Sequence, residues 1–187
     1  MGSVVVVAAV MPARPLTIDQ RWSHAMGDIH SSRLHDLALA FNDLGHGLGR
    51  VVSIAAIVLA IGLARRWWAL LAFAVTESLT PLAVNLLKQL VDRPRPPGAM
   101  IDAAGSSFPS GHAAYAATTA LSLLVLFTRP GARERQGWGV ASAVVVAAMA
   151  WSRTYLQAHW LTDAVSGAIL GLGVTLATFA AVQRRVR

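Results

Sequence analysis

Apolar and polar residues alternate along this chain on two scales. Between Ile18 and Leu44 apolar side chains recur at helical spacing, with Ile18, Trp22, Met26 and Ile29 in one group and Leu34, Leu37, Phe41 and Leu44 in a second. The remaining positions carry Asp19, Arg21, Asp28, Arg33, Asp36 and Asp43. This pattern predicts two amphipathic helices, parted at Ser31 and Ser32, that lie at a membrane surface or cover a bundle. Thr17 with Gln20 fits a capping box for the first of them, after Pro12 and Pro15 have stopped any earlier helix. From Leu48 onward the alternation coarsens into long apolar runs: Leu48 to Ala64, Trp67 to Val91, Ser110 to Phe127, Trp138 to Tyr155 and His159 to Val182. A hydrocarbon core roughly 30 Å thick takes about 20 helical residues to cross, so five full spans are expected. Pro81 is expected to kink the second.

The run Val4 to Val10 is too short to cross and lacks the basic region of a signal peptide. It reads as a remnant of a first span, as a re-entrant or surface-lying piece, or as a vector-derived start that includes Gly2 and Ser3. The expected fold is therefore all-α, a polytopic membrane helix bundle with five full spans, a short or truncated first span and amphipathic surface helices near the N-terminus. It forms one domain over residues 1–187: a short apolar start at 1–15, interfacial helices at 16–46 and the helix bundle at 47–187. Gly167 and Gly171 make a small-residue pair suited to close helix packing.

Composition agrees with a membrane protein: 55% of the 187 residues are hydrophobic, 13% are charged, and the mean hydropathy is +0.54. The net charge of +7 brings no basic stripe with interleaved aromatics, so no nucleic-acid partner is expected. It reads better as topology. Arg65 and Arg66, the Arg129 to Arg135 turn and the C-terminal arginines fall on one side of the five spans, and the positive-inside rule makes that side cytoplasmic. Lysines and arginines divide eight and eight between the two sides, but four of the opposing eight are Lys88, Arg93, Arg95 and Arg153, which cluster in segments that carry chemistry. The absence of cysteine excludes disulfides, thiolate metal sites and a Cys nucleophile. His24, His30, His35 and His46 lack a matching carboxylate or thiolate pattern and read as surface or capping residues.

Three segments end on the outward side. In Ser152 to Asp163, His159 and Asp163 are four apart, close enough on a helix for the carboxylate to accept an imidazole N–H, with Arg153 nearby. Such a pair is by itself more often a structural hydrogen bond. Pro109-Ser110-Gly111-His112 opens a helix: Ser110 is a good N-cap, Gly111 leaves its N–H uncovered, and His112 sits in the first turn, where helix N–H groups bind anions. Lys88, Arg95 and Arg153 bring three cations to the same boundary, suited to phosphate oxygens. Arg93 reads instead as a snorkelling headgroup contact. Glu77 lies in apolar surroundings and reads as a structural or protonated group, hydrogen-bonded inside the bundle, in preference to a catalytic one.

Together these segments resemble the three-part signature of the type 2 phosphatidic acid phosphatase superfamily: Lys88, six residues, Arg95-Pro96; Pro109-Ser110-Gly111-His112; and Ser152-Arg153, five residues, His159, three residues, Asp163. All three parts match without substitution and in order, over about two fifths of the chain. The resemblance implies a metal-independent phosphatase with no cofactor. In it His159 is the nucleophile, Asp163 its orienting partner and His112 the acid for the leaving group and later the base for water. Lys88, Arg95, Ser110, Gly111 and Arg153 hold the phosphate. Bacterial membrane members are typically six-span bundles, from which this chain departs at Val4 to Val10. Within the family the resemblance is nearest to polyprenyl diphosphate phosphatases, with phosphatidylglycerophosphate or phosphatidic acid phosphatases second. A lipid phosphate or diphosphate is the expected partner, and the plasma membrane, with the site on its extracytoplasmic side, the expected location. A lipid-phosphate transferase and a non-enzymatic lipid transporter are the rivals of another kind. Oligomeric state is left open.

Overall fold

The computed structural model describes residues 13–128, 131 and 133–186, and the Val4 to Val10 run lies outside them. Among the described residues the chain is all-helical: α1 (Thr17–Gly27), α2 (Ser32–Leu44), α3 (Gly47–Leu63), α4 (Trp67–Val91), α5 (Gly111–Phe127), α6 (Arg133–Tyr155) and α7 (Leu161–Val186).

Local chemistry sets most of the boundaries. Ser31 caps α2 by accepting the Leu34 N–H at 3.4 Å, and Ser110 caps α5 by accepting that of Ala113, also at 3.4 Å. The start of α1 differs from expectation. Leu16 is the cap residue and its own N–H donates to Asp19 Oδ2 at 3.0 Å, so Asp19 supplies the bond that the Thr17 and Gln20 pattern suggested. α4 continues through Pro81 as one helix of 25 residues and ends at Asp92, whose φ of 39° turns the chain out of the helix.

α4 and the Leu161–Val182 part of α7 are each long and apolar enough to cross a bilayer, and α2 with α3, bent by 58° at their junction, form a third such unit together. α5 is apolar but has only 17 residues, about 26 Å of helix. α6 begins on Arg133, Glu134 and Arg135. Among the described residues length and apolarity thus identify two to three spans where the hydrophobic pattern predicts five.

α5 is the axis of the bundle and packs on α7, α6 and α4. Its inner face is small, with Ala113, Ala114 and Ala117 fully enclosed. The expected glycine pair works here: a Cβ on Gly167 would collide with the Ser110 carbonyl, and one on Gly171 with the Ala114 carbonyl, so the two helix backbones touch. We expect Gly167→Ala to cost about 1–3 kcal/mol, because the obstacle is backbone and cannot rotate away. The Gly173→Ala change, where a Cβ meets nothing within 4 Å, should cost nothing comparable. Melting temperatures of the two variants in detergent test this.

At one end of the bundle Ile61, Phe73, Leu126 and Phe179 form an apolar cluster across α3, α4, α5 and α7. At the other, Met26, Ala38, Tyr155 and Leu156 join α1 and α2 to the end of α6. The Tyr155 hydroxyl donates between the Ile29 and Ser31 carbonyls, at 3.3 and 3.2 Å, which fastens the break between the two amphipathic helices. Of the two placements open from sequence, α1 and α2 cover the bundle at the end where His159 lies.

Candidate active site

The turn between α6 and α7 carries His159. Its backbone doubles back, with the N–H groups of Ala158 and His159 both donating to the Arg153 carbonyl and Gln157 at a left-handed φ of 53°. The loop from Asp92 to Ser110 folds against this turn. Arg93 N–H donates to Ser106 Oγ at 3.0 Å, Ser107 N–H to the Arg93 carbonyl at 2.8 Å, and the Trp160 indole N–H to the Pro94 carbonyl at 2.8 Å. The Ser110 N–H donates to the Asp163 carbonyl at 3.0 Å, joining the start of α5 to that of α7.

His159 is 4% exposed, and its Nδ1 lies 2.7 Å from the Ser107 carbonyl oxygen. A carbonyl can only accept, so the proton belongs on Nδ1 and the lone pair on Nε2. Asp163 Oδ2 is 3.8 Å from Nδ1, beyond hydrogen-bonding distance. The carboxylate expected to hold the imidazole N–H is engaged elsewhere: Oδ2 accepts the Trp160 N–H at 2.9 Å and Oδ1 accepts from Arg93 at 2.5 Å. Burial pushes the His159 imidazole down to about 4; Arg153 and Arg95 add to the depression and Asp163 opposes it. At neutral pH the ring is uncharged, as a nucleophile must be.

Two of the three cations, Lys88 and Arg95, share the loop carbonyl of Ser106, and the third, Arg153, bonds Asn42. Lys88 Nζ donates to the Ser106 carbonyl at 2.6 Å. Arg95 spreads its guanidinium over the carbonyls of Ala104, Gly105 and Ala158, at 2.9, 3.1 and 2.7 Å, the last belonging to the residue before His159. Burial, opposed by Asp163, lowers its affinity for protons from the usual guanidinium range. Arg153 is almost wholly enclosed and donates to Asn42 Oδ1 at 2.6 Å, while its Nε has no partner. Ser110 is fully buried at the start of α5, and Gly111 follows it against Val84 and Tyr115. His112 packs on Gly45, where a Cβ would collide with its ring, and stacks on His46 with centroids 6.3 Å apart. Its buried Nε2 has no partner.

All eight residues singled out in the sequence therefore lie at one end of the bundle, around the loop that folds over His159. The reading of Arg93 is overturned. Its side chain is fully enclosed, with Nη1 donating to Asp163 Oδ1 and to Thr162 Oγ1 at 2.8 Å, and Nη2 to Asp19 Oδ2 at 2.7 Å. No headgroup can reach it. Sequence reasoning also passed over Asp19, Asn42 and the Ser107 carbonyl. Asp19 looked like one more charge on an amphipathic face, and a backbone carbonyl has no side-chain signature at all. His46, read as a capping residue, does sit at the cap position of α3, and its ring is also the neighbour of His112. Glu77 is held inside the bundle by Thr119 Oγ1 at 3.5 Å and by Arg50 at 3.6 Å, on the same helix as Lys88 and about three turns from it. Arg50 in turn lies over the Tyr115 ring, 3.5 Å from its centroid. Among the described residues no group of three or more His, Cys, Asp or Glu is placed to hold a metal ion.

The architecture is shared with two proteins of known structure. A transmembrane PAP2-type phosphatidylglycerolphosphate phosphatase from Bacillus subtilis superposes with a TM-score of 0.80 at 23% identity, covering 98% of this chain and 94% of its own. LpxE of Aquifex aeolicus superposes with a TM-score of 0.76 at 18% identity, covering 91% and 99%. No curated protein matches the chain by sequence. The model of the PAP2 superfamily matches residues 65–187, more than half of the chain and the whole of the three-segment signature. With that match spanning every residue of the site from Lys88 to Asp163, the chain belongs to the PAP2 superfamily and has the helical fold of its membrane phosphatases.

Proposed function

We propose that the protein is an integral membrane lipid phosphatase that removes a terminal phosphate through a phosphohistidine on His159, most readily from a polyprenyl diphosphate carrier lipid. The observation that carries this reading is the geometry of His159: buried, with Nδ1 committed to the Ser107 carbonyl and Nε2 left free. In the first step the Nε2 lone pair bonds to phosphorus, the phosphorus–oxygen bond to the lipid breaks, and His112 gives the departing oxygen a proton. Nε2 becomes part of a phosphoimidazolium, whose positive charge Asp163 balances across 3.8 Å. In the second step His112 takes a proton from water, the water oxygen bonds to phosphorus, and the phosphorus–nitrogen bond breaks to release inorganic phosphate. Lys88, Arg95 and Arg153 neutralise the phosphoryl oxygens, together with the helix start at Ser110 and Gly111. The chemistry asks for no metal and no cofactor.

A lipid tail is accommodated next to this chemistry. A largely apolar cleft of about 250 Å³ extends from Gly45, which touches His112, past Arg50 and Glu77 to Trp138. We read α3 to α7 as the five crossing helices; the positive-inside rule applied to the arginine-rich turns then supports a site at the extracytoplasmic face of the plasma membrane. There the phosphate lies in the interface and the tail in lipid. Transfer of the phosphoryl group to an acceptor other than water would use the same histidine, and phosphate release in detergent without added acceptor distinguishes hydrolysis from it. A second substrate reading is favoured by the likeness to a phosphatidylglycerolphosphate phosphatase. Phosphate release from a polyprenyl diphosphate, a phosphatidylglycerophosphate and a phosphatidic acid, each with excess chelator, tests the proposal. We expect release from all three, fastest from the diphosphate and unaffected by chelator. Faster turnover of phosphatidylglycerophosphate would move the physiological substrate to the phospholipid, and loss of activity in chelator would overturn the metal-free step.

A further inference from the structure

We propose that Asp19, on the N-terminal helix α1, is a positioning residue for His159 and Asp163 and acts on them through Arg93. This rests on the reading of His159 as nucleophile. Asp19 was expected on a polar helix face, yet it is 0% exposed. Four donors surround its carboxylate. Oδ2 accepts the Leu16 N–H at 3.0 Å, Arg93 Nη2 at 2.7 Å and Thr162 Oγ1 at 2.9 Å, and Oδ1 accepts the Thr162 N–H at 2.9 Å. Thr162 is the second residue of α7 and Asp163 the third. Asp19 thus caps from a distant part of the chain the helix whose first turn carries Asp163, in the place where an anion is favoured.

The charge arrangement gives this contact a consequence beyond docking. One guanidinium is divided between two carboxylates, Nη1 to Asp163 and Nη2 to Asp19. The planar fork fixes both at once, which a lysine could not do. Two anions against one cation leave the enclosed cluster with a net negative charge. Without Asp19, Arg93 would neutralise Asp163 alone and the field that Asp163 exerts on His159 would weaken. That field matters most when the ring becomes a cationic phosphoimidazolium. The groups that face His159 from the other elements are Arg153 on α6, Arg95 on the loop and His112 on α5, with Lys88 of α4 joined to Arg95 through the Ser106 carbonyl. Arg153, Arg95 and Lys88 are cations, and Asp163, backed by Asp19, is their counterweight.

A second tether from the same helix holds the histidine turn. Ser23 Oγ donates to Gln157 Oε1 at 2.5 Å, and Gln157 Nε2 donates to the Ser23 carbonyl at 2.9 Å, two residues before His159. α1 therefore grips the start of α7 and the turn before it. A buried ion pair is weak grounds for stability in itself, since apolar residues of like volume often do as well. Its placement directly behind Asp163 is what assigns it to the chemistry.

Three full-length variants in detergent test the proposal, with His159→Ala assayed beside them. Asp19→Asn should lower kcat on the order of tenfold to a hundredfold, as small misplacements away from the reacting atoms do, with KM unchanged. Removing the anion makes the potential at His159 more positive and disfavours the protonated ring, so the acidic limb of the kcat/KM profile should move to lower pH. Arg93→Gln removes a cation and should move it to higher pH. Wild-type kcat and an unmoved limb in Asp19→Asn would overturn the proposal, as would displacement of both limbs in one direction, which is what simple loosening produces. If Asp19→Asn does not stay folded, Asp19→Glu keeps the anion on a longer arm: a lowered kcat with the limb in place is expected, and wild-type kcat would overturn it. Hydrolysis that survives His159→Ala would overturn the nucleophile assignment itself. A dead His159→Ala beside a normal Asp19→Asn would remove only the role of Asp19.

Discussion

Replacing His159 by alanine is expected to lower phosphate release by roughly 10⁴- to 10⁶-fold, the scale seen when a covalent nucleophile is removed and only binding and charge stabilisation remain. Nothing else near the site can take its place. Cysteine is absent, Ser110 spends its oxygen on the cap of α5, and Asp163 has both oxygens engaged by Arg93 and Trp160. The expected loss is in kcat, with substrate still held by Lys88, Arg95 and Arg153. A short reaction of the wild type with labelled substrate, quenched in base, should leave phosphate on the peptide that contains His159, because a phosphorus–nitrogen bond survives alkali and is cleaved by acid. Undiminished hydrolysis by the variant, or label on another residue, would sink the mechanism.

The second large effect is at His112. A positioned general acid is worth about 10² to 10⁴-fold, and His112→Gln, which keeps the approximate shape of the ring but cannot donate a mobile proton, should lose that factor on a lipid phosphomonoester such as phosphatidic acid, whose leaving group is an alkoxide. The loss should depend on the leaving group. An aryl phosphate departs without protonation, so its first step should be nearly spared. The second step also needs His112, to take a proton from water, so with the aryl substrate the variant should accumulate phosphohistidine. The setting of His112 supports this division of labour: its Nε2 is buried without a partner, and Gly45 and His46 hold the ring from the side. Equal losses on lipid and aryl substrates, with no accumulated intermediate, would reassign His112 to phosphate binding.

The mechanism that emerges differs in one respect from a simple histidine–aspartate pair. A backbone carbonyl accepts the Nδ1 proton of His159, and in the proposed mechanism Asp163 acts across a longer gap as a counter-charge whose strength Arg93 and Asp19 set. This also accounts for the number of cations the site tolerates. Lys88, Arg95 and Arg153 each rest on an uncharged oxygen, from a backbone carbonyl or from Asn42, and among the described residues no carboxylate pairs with them directly. A phosphate can therefore meet their full charge.

How much of this was legible beforehand depended on the distance over which each feature is specified. The boundaries of α4, the break at Ser31 and the capping role of Ser110 follow from neighbours within one or two turns, and sequence alone was enough for them. So was the closeness of α5 and α7 at Gly167, because only glycine permits backbones to touch. The site segments were legible because phosphate chemistry needs particular side chains and the three motifs display them. The span count was less secure. A short apolar helix such as α5 and a polar-headed one such as α6 satisfy a pattern of runs without each meeting the length and apolarity of a lone crossing.

By itself, then, the sequence determined most of the helical segments and the cap at Ser110, since these depend on contacts between residues a few positions apart, and it named the side chains proposed to carry the chemistry. Only the tertiary structure decided the partners. Whether Arg93 faces lipid or Asp163, whether Asp19 faces water or the start of α7, and which oxygen takes the proton of His159 turn on contacts spanning 70, 143 and 52 residues. The physical reason is that a charged side chain looks the same in sequence whether exposed or buried. Its role is set by the desolvation and pairing that packing imposes, and a backbone carbonyl becomes a specific acceptor only when the fold aims it.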